Sequence, residues 1–170
     1  MKKCTGCGKI LSFSNFSKHI RKKDGYATQC KECLKILNSI YSNTEHGYLT
    51  HLYQGIKRRE SQKRFENYSE EEKAKRRCYI TKKEFFELWE LHKKKYGYTC
   101  ALTGVPIVHK TSTLKSMNKS NGISVDRLNP GIGYTKENII FVSNKANQMK
   151  NNVTKDLCVA IIKAHEERGL

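Results

Sequence analysis

Two cysteine pairs near the N-terminus constrain this chain more than any other feature: Cys4-x2-Cys7 and Cys30-x2-Cys33, with 22 residues between them. Each CxxC knuckle turns two sulfurs toward one point, and two knuckles together complete the tetrahedron of thiolates that suits Zn²⁺. Gly6 and Gly8 relieve the knuckle backbone, while Phe13, Phe16 and Tyr26 offer a small apolar cover. A redox CxxC would not need a second pair. Residues 1–35 are too short and too weakly apolar to hold a core without such a staple. The spacing therefore predicts a structural zinc held by Cys4, Cys7, Cys30 and Cys33, with no coordination position left open for chemistry. Cys78, Cys100 and Cys158 lack CxxC partners and read as small core hydrophobes.

Charge narrows the partner. Lys and Arg number 33 against 16 Asp and Glu among 170 residues, a formal charge of +17, and hydrophobic residues make up 37%. That composition supports a modest core and a polyanionic partner. No run approaches the roughly 18 apolar residues of a membrane span, so no membrane partner is expected. No apolar stretch follows Met1-Lys2-Lys3-Cys4, so no secretory signal is read. Seven cysteines, an odd number without such a signal, argue against a disulfide framework. Residues 1–35 carry a surplus of +7, the highest in the chain, and residues 55–77 carry +4. The second stretch reads either as a solvated helical face with charge pairs at three- and four-residue spacing, or as a basic helix on phosphates led by Lys57, Arg58, Arg59, Lys63 and Arg64.

The order of elements suggests an α+β chain. Leu49, Leu52, Tyr53 and Ile56 follow a helical spacing from a possible cap at Thr44, and residues 44–77 read as helical. Thr81 and Glu84 form a capping box ahead of Phe85, Leu88, Trp89 and His92, which share one face, and Lys93, Lys94 and Lys95 close that helix. Residues 110–121 read as a polar loop. Ile123 to Leu128 alternates like a strand, Asn129-Pro130-Gly131 signals a turn, and Asn138 to Val142 is a second strand. Helix returns from Asn144, with a new start at Thr154 leading Leu157, Val159, Ile161 and Ile162. The divisions expected are a zinc-binding module at 1–43, a basic helical region at 44–97 and a hairpin-and-helix core at 98–170.

Two short strands followed by a helix can bring Asp126, on a strand end, near Asn147, on the helix. A carboxylate and an amide oxygen are hard ligands suited to a Mg²⁺ that keeps waters and phosphate oxygens, and such an arrangement serves phosphodiester hydrolysis. The run Val125-Asp126-Arg127, Gly133-Tyr134, Asn138 and Asn147-x2-Lys150 resembles the ββα-metal core of HNH endonucleases. Among these it is similar to the PacI-like restriction endonucleases, which also combine Val-Asp-Arg, a Gly-Tyr turn and a helical Asn-x-x-Lys. The resemblance covers about residues 98–165, and four-cysteine modules commonly accompany this core in phage, mobile-intron and restriction nucleases. It implies that Asp126 and Asn147 hold the catalytic metal. Arg127 would take the water-activating position, Asn138 would brace the hairpin loop through backbone hydrogen bonds, and Lys150 would touch phosphate. It further implies double-stranded DNA as substrate, 5′-phosphate and 3′-hydroxyl products, and an intracellular protein, cytoplasmic or nucleoid-associated, encoded by a phage or mobile element.

The chain departs from the family pattern in two ways. Arg127 stands where the usual general-base His would be, and Asn147 stands where a metal-binding His is commoner. A second four-cysteine zinc of the similar enzymes is not reproduced, since only Cys100 of its ligands remains. With an Arg in the base position, His46 is the candidate assistant, from the start of the basic helix; His51, His92, His109 and His165 read as surface or packing residues. Cutting both strands of a duplex is simplest with two related sites, so a homodimer is an expectation beside a monomeric nickase. The alternative from another class is a non-catalytic zinc-dependent nucleic-acid-binding protein, either a degenerate nuclease or an RNA- or ribosome-associated one.

Overall fold

A computed structural model describes residues 1–59, 66–109, 120–150 and 155–168. Among these the fold is mixed α+β: six α-helices, one short 3₁₀ turn and three two-stranded antiparallel sheets. They divide into two compact units, Met1–Gly47 and Tyr48–Leu170. Residues 48–97 and the hairpin therefore belong to one unit. No helix among the described residues is long and apolar enough to cross a membrane.

The first unit consists of β1 (Lys2–Lys3) paired with β2 (Ile10–Leu11), β3 (Phe16–Lys18) paired with β4 (Tyr26–Cys30), and helix α1 (Lys31–Ser42). Its buried core is Cys4, Phe16 and Cys30, with Leu11, Tyr26 and Cys33 packed against them. Phe13 stacks on Tyr26 with ring centroids 4.8 Å apart, as a cover over that core. Helix α1 was not foreseen from the sequence. It starts directly from the second knuckle, where the Cys30 sulfur accepts the Cys33 backbone N–H at its N-terminus. Its apolar residues Ile36, Leu37, Ile40 and Tyr41 remain exposed, so no buried stripe marks it.

Helix α2 (Glu45–Arg59) begins in the first unit and continues into the second. Thr44 ends the turn before it and accepts the Gly47 N–H at 3.0 Å. Leu49 and Ile56 are buried, as the spacing predicts. The Tyr48 hydroxyl donates to the Ile123 carbonyl and the Tyr53 hydroxyl to the Ile80 carbonyl. The stretch expected to be helical to residue 77 contains only one further described helix, α3 (Glu70–Ala74), entered through its own Ser69–Glu72 capping box. Lys63 and Arg64 lie outside the described residues.

Helix α4 (Lys82–Tyr96) carries the capping box at Thr81 and Glu84, and Phe85, Trp89 and His92 are its buried residues. Phe141 meets this face with ring centroids 5.3 Å from Phe85 and 5.0 Å from Trp89. His92 is a packing residue. It stacks on Trp89 and bonds the Thr99 carbonyl through Nε2, and burial pushes its pKa down. Cys78 and Cys100 are core residues as expected, but Cys158 is exposed on the last helix. There its helical position faces solvent, which corrects the core reading.

The hairpin pairs β5 (Ile123–Arg127) with β6 (Ile139–Ser143), in the register Val125↔Phe141, Asp126↔Ile140 and Arg127↔Ile139. Inward Ile123, Val125, Phe141 and Val142 join the core with Trp89. Helix α5 (Asn144–Lys150) follows β6 without a linker, and α6 (Lys155–Glu167) ends the described chain. The expected start at Thr154, the side chains of Leu157 and Ile161, and most of the 110–121 loop lie outside the described residues. The turn side of the hairpin is held from below. Tyr134 N–H donates to the Arg77 carbonyl and Tyr79 N–H to the Tyr134 carbonyl. At Gly133 the approach is so close that a Cβ would lie 2.6 Å from the Tyr79 ring and 2.7 Å from the Ala74 and Arg77 carbonyl oxygens.

Glu84 links the capped helix to this hairpin. Its carboxylate accepts the Thr81 backbone N–H and pairs with Lys136 Nζ at 2.9 Å. The Thr81 N–H first, then Lys136, lower its pKa from 4.5 to about 2. The unfolded chain therefore takes up this proton first, so the contribution is complete above pH 4.5 and disappears as pH falls through about 2. Glu84→Gln keeps the reach of the capping box but loses the charge. Thermal melts at pH 7 and near pH 2 are expected to show a lower Tm for the variant at pH 7 and a difference that shrinks in acid.

Candidate functional site

Two separate constellations of expected site residues lie among the described residues, and the first can hold a metal ion. In the first unit the ligand sulfurs of Cys4, Cys7, Cys30 and Cys33 all lie within 4.8 Å of one another. The Cys4 and Cys33 sulfurs are 3.8 Å apart, which matches the edge of about 3.8 Å of a tetrahedron with Zn–S bonds of about 2.3 Å. The knuckles are prepared for anionic sulfur. Gly6 N–H donates to Cys4 Sγ at 3.3 Å, Cys30 N–H to Cys4 Sγ at 3.2 Å, and Cys33 N–H to Cys30 Sγ at 3.5 Å. Gly6 is needed here, because a Cβ would meet Cys33 Sγ at 3.0 Å.

Backbone donors, those of Cys30 and Cys7 first, lower the Cys4 pKa to about 6. Cys33 is pushed up to about 12, chiefly by its contact with Cys30 and then by burial. Once one sulfur is a thiolate, its neighbours resist ionising, and a divalent cation removes that resistance. The four cysteines thus fit a structural zinc.

The second constellation lies on the hairpin and α5. The side chain of Asp126, near the end of β5, is only 11% exposed, and Lys150 Nζ on α5 lies 2.9 Å from its Oδ2. Oδ2 is buried, and this ion pair is its contact among the described residues. The same Nζ donates to the Arg127 carbonyl at 2.7 Å. Lys150, expected to face phosphate, is thus turned inward onto Asp126, because a buried carboxylate needs a cation beside it.

Asn147, one turn earlier on α5, donates through Nδ2 to Ser124 Oγ at 2.7 Å and to the Val125 carbonyl at 3.3 Å. These bonds fix its amide by the nitrogen, and its Oδ1 enters no hydrogen bond among the described residues. Asp126 and Asn147 are thereby anchored to the same strand. A carboxylate and an amide oxygen are donor types that a hard divalent cation takes, and here the carboxylate is already paired with Lys150.

Asn138 is 5% exposed and makes four hydrogen bonds to the loop backbone. Its Oδ1 accepts the Asn129 N–H, and its Nδ2 donates to the carbonyls of Asn129, Ile132 and Gly133. Arg127 is fixed as well. Nη1 donates to the Lys75 and Ile132 carbonyls, and the guanidinium lies over the Tyr134 ring with Cζ 5.2 Å from its centroid.

Of the remaining expected residues, Lys57 donates to the Cys78 carbonyl and Arg58 to the Gln54 carbonyl. Arg59 donates to the Tyr134 hydroxyl and lies over the same ring at 5.3 Å. His46 belongs to the first unit, on the first turn of α2, exposed and edge-on to Tyr41.

A cleft of about 350 Å³ opens in the second unit, and its lining includes His51, Arg59, Arg76, Ser124, Arg127 and Tyr134. His51, which reads from the sequence as a surface or packing residue, lines this cleft, and Arg76 carries no individual expectation from the sequence. The legible signal was His51, Gly55 and Arg59 at four-residue spacing, one face of α2. No comparable pattern points to Arg76. Comparison of the chain with protein-family models, with curated proteins and with solved structures finds no match in any of the three.

The zinc constellation has a direct consequence. Its unit holds too little apolar surface to fold unaided. Treating the zinc-loaded protein with a strong chelator, or making Cys30→Ser, is expected to collapse the amide NMR signals of residues 1–47. Signals of α4 and the hairpin should persist, and Cys158→Ser should leave both sets unchanged.

Proposed function

We propose that the chain is a metal-dependent endonuclease that hydrolyses phosphodiester bonds in double-stranded DNA, with an HNH-like ββα core beside its structural zinc. The observation that carries this reading is the Asp126 carboxylate. It is nearly buried, ion-paired to Lys150 at 2.9 Å, and shares its strand with an amide from the helix that follows the hairpin. A stability role alone does not call for that arrangement, since the desolvation cost of burying an ion pair can exceed its attraction.

In this reading Asp126 and Asn147 hold a divalent cation such as Mg²⁺. That ion supplies Lewis-acid stabilisation of the charge developing on a cleaved phosphodiester. Arg127 is protonated at any working pH, so its part is to hold phosphate or order water rather than to accept a proton. Asn138 keeps the hairpin loop in place. Lys57, Arg58 and the basic zinc module add salt-dependent, sequence-independent attraction to phosphates. His46 remains the sequence-derived candidate for proton transfer, and a homodimer the simplest means of cutting both strands.

One observation favours a second reading, a non-catalytic nucleic-acid-binding protein: Lys150 already balances Asp126 without any metal. Plasmid nicking with Mg²⁺ separates the two. Wild type is expected to convert supercoiled DNA to nicked or linear forms, and Asp126→Ala to lose on the order of 10²–10³-fold, as when one electrostatic stabiliser is removed. No cleavage of any duplex by zinc-loaded wild type would sink the nuclease reading.

Metal binding offers a readout independent of activity. Lys150→Met removes the cation that competes for Asp126, so Mn²⁺ followed by electron paramagnetic resonance is expected to bind several-fold tighter than in wild type. An unchanged affinity would mean that Asp126 is not a metal ligand.

A further inference from the structure

The cleft of the second unit has a lining of unusual sign. Arg59, Arg76 and Arg127 contribute three guanidinium groups and His51 an imidazole, and no Asp or Glu lines it among the described residues. These four side chains come from three separate stretches of sequence, on α2, after α3 and on β5. Their convergence is therefore a product of the fold and not of a local charge run.

The guanidiniums are held in place. Arg59 and Arg127 both lie against the buried Tyr134 ring, at 5.3 and 5.2 Å, and Arg59 also donates to its hydroxyl. Arg76 lies over Tyr68 at 4.8 Å and donates through Nη1 to the Glu72 carbonyl. The hydrogen bonds of Arg59 and Arg127 all run through Nη1. Their Nε and Nη2 donors enter none among the described residues, so each keeps part of the planar fork that fits phosphate oxygens.

Two cations stacked on one ring repel each other unless an anion lies between them. The ring recovers a part of that cost through its electron-rich face.

We infer that this cleft is a phosphate-binding pocket, in which Arg59, Arg76 and Arg127 grip one backbone phosphate of duplex DNA and His51 donates a hydrogen bond to it. The pocket begins one residue either side of Asp126, at Val125 and Arg127. The inference deepens the nuclease reading, and the choice of DNA as the source of the phosphate rests on it. Affinity for phosphate itself does not.

The test uses the full-length, zinc-loaded protein. Inorganic phosphate is titrated against chloride at matched ionic strength while arginine Nε–H and histidine resonances are followed by NMR. Phosphate, but not chloride, is expected to shift Arg59, Arg76, Arg127 and His51. Arg76→Gln is expected to weaken the effect about tenfold, while Lys83→Gln, a charge-matched change on α4, behaves as wild type. Arg76→Lys keeps the charge without the fork and should fall between the two, which guards against misfolding of the Gln variant.

Fluorescence anisotropy of a labelled duplex forms the second arm. Arg59→Gln with Arg76→Gln is expected to lower duplex affinity by on the order of tenfold or more and to reduce the salt slope by about one. Absence of phosphate-specific shifts in wild type overturns the pocket. Phosphate shifts with duplex affinity unaltered in the double variant overturn the assignment to DNA and leave a free phosphate or nucleotide as the source. Asp126→Ala should retain both phosphate shifts and duplex binding, and a wild type that binds phosphate and duplex yet cleaves neither strand counts against the nuclease reading alone.

Discussion

The second unit depends on one buried amide. Asn138 satisfies four backbone groups of the loop between β5 and β6, from Asn129 to Gly133. Each such bond is worth about 1 kcal/mol net, but leaving its buried partner unsatisfied costs about 1–3 kcal/mol. Loss of the amide therefore exceeds the sum of its gains. What the amide holds in place is larger than itself. The loop fixes Gly133 against the Ala74–Tyr79 segment, and Tyr134 follows at once, buried, with its backbone bonded to Arg77 and Tyr79. Arg59 and Arg127 then rest on the Tyr134 ring. A carboxamide in a tight turn thus sets the positions of two guanidiniums that it never touches.

The two units solve the problem of small size differently. The first has three buried residues in its core, two of which are cysteines of the cluster that could hold zinc, and an ion bound there would add directly to its folding. The second buries Trp89, Phe85, Phe141 and Tyr134 with a set of aliphatic residues, and gains its order from packing and capping. Two capping boxes, at Ser69 and Thr81, start its middle helices.

What the sequence made legible follows from how local each signal was. The CxxC spacing, the Thr81–Glu84 box and the alternation of residues 123–127 are all short-range patterns, and each has its counterpart in the fold. Helix α1 escaped notice because Ile36, Leu37, Ile40 and Tyr41 stay exposed and its cap is a cysteine already assigned to metal. Lys150 was read outward, toward phosphate. Its inward turn depends on how deeply Asp126 is buried, and no spacing reports that depth. The cleft was invisible for a similar reason. Arg76 sits in a run of mixed charges, and only the pairing of residues 77–79 with Tyr134 brings it beside β5.

The contact between Lys150 and Asp126 also bears on the order in which the molecule is made. A buried carboxylate with a lysine beside it is electrically balanced from the moment the hairpin closes, so this half of the chain can mature in a cell short of divalent ions. The cysteine knob, if it holds zinc, would instead be completed only when the metal arrives. Scarcity would then produce a half-finished molecule, with its hairpin and cleft assembled and its most basic segment still unfolded.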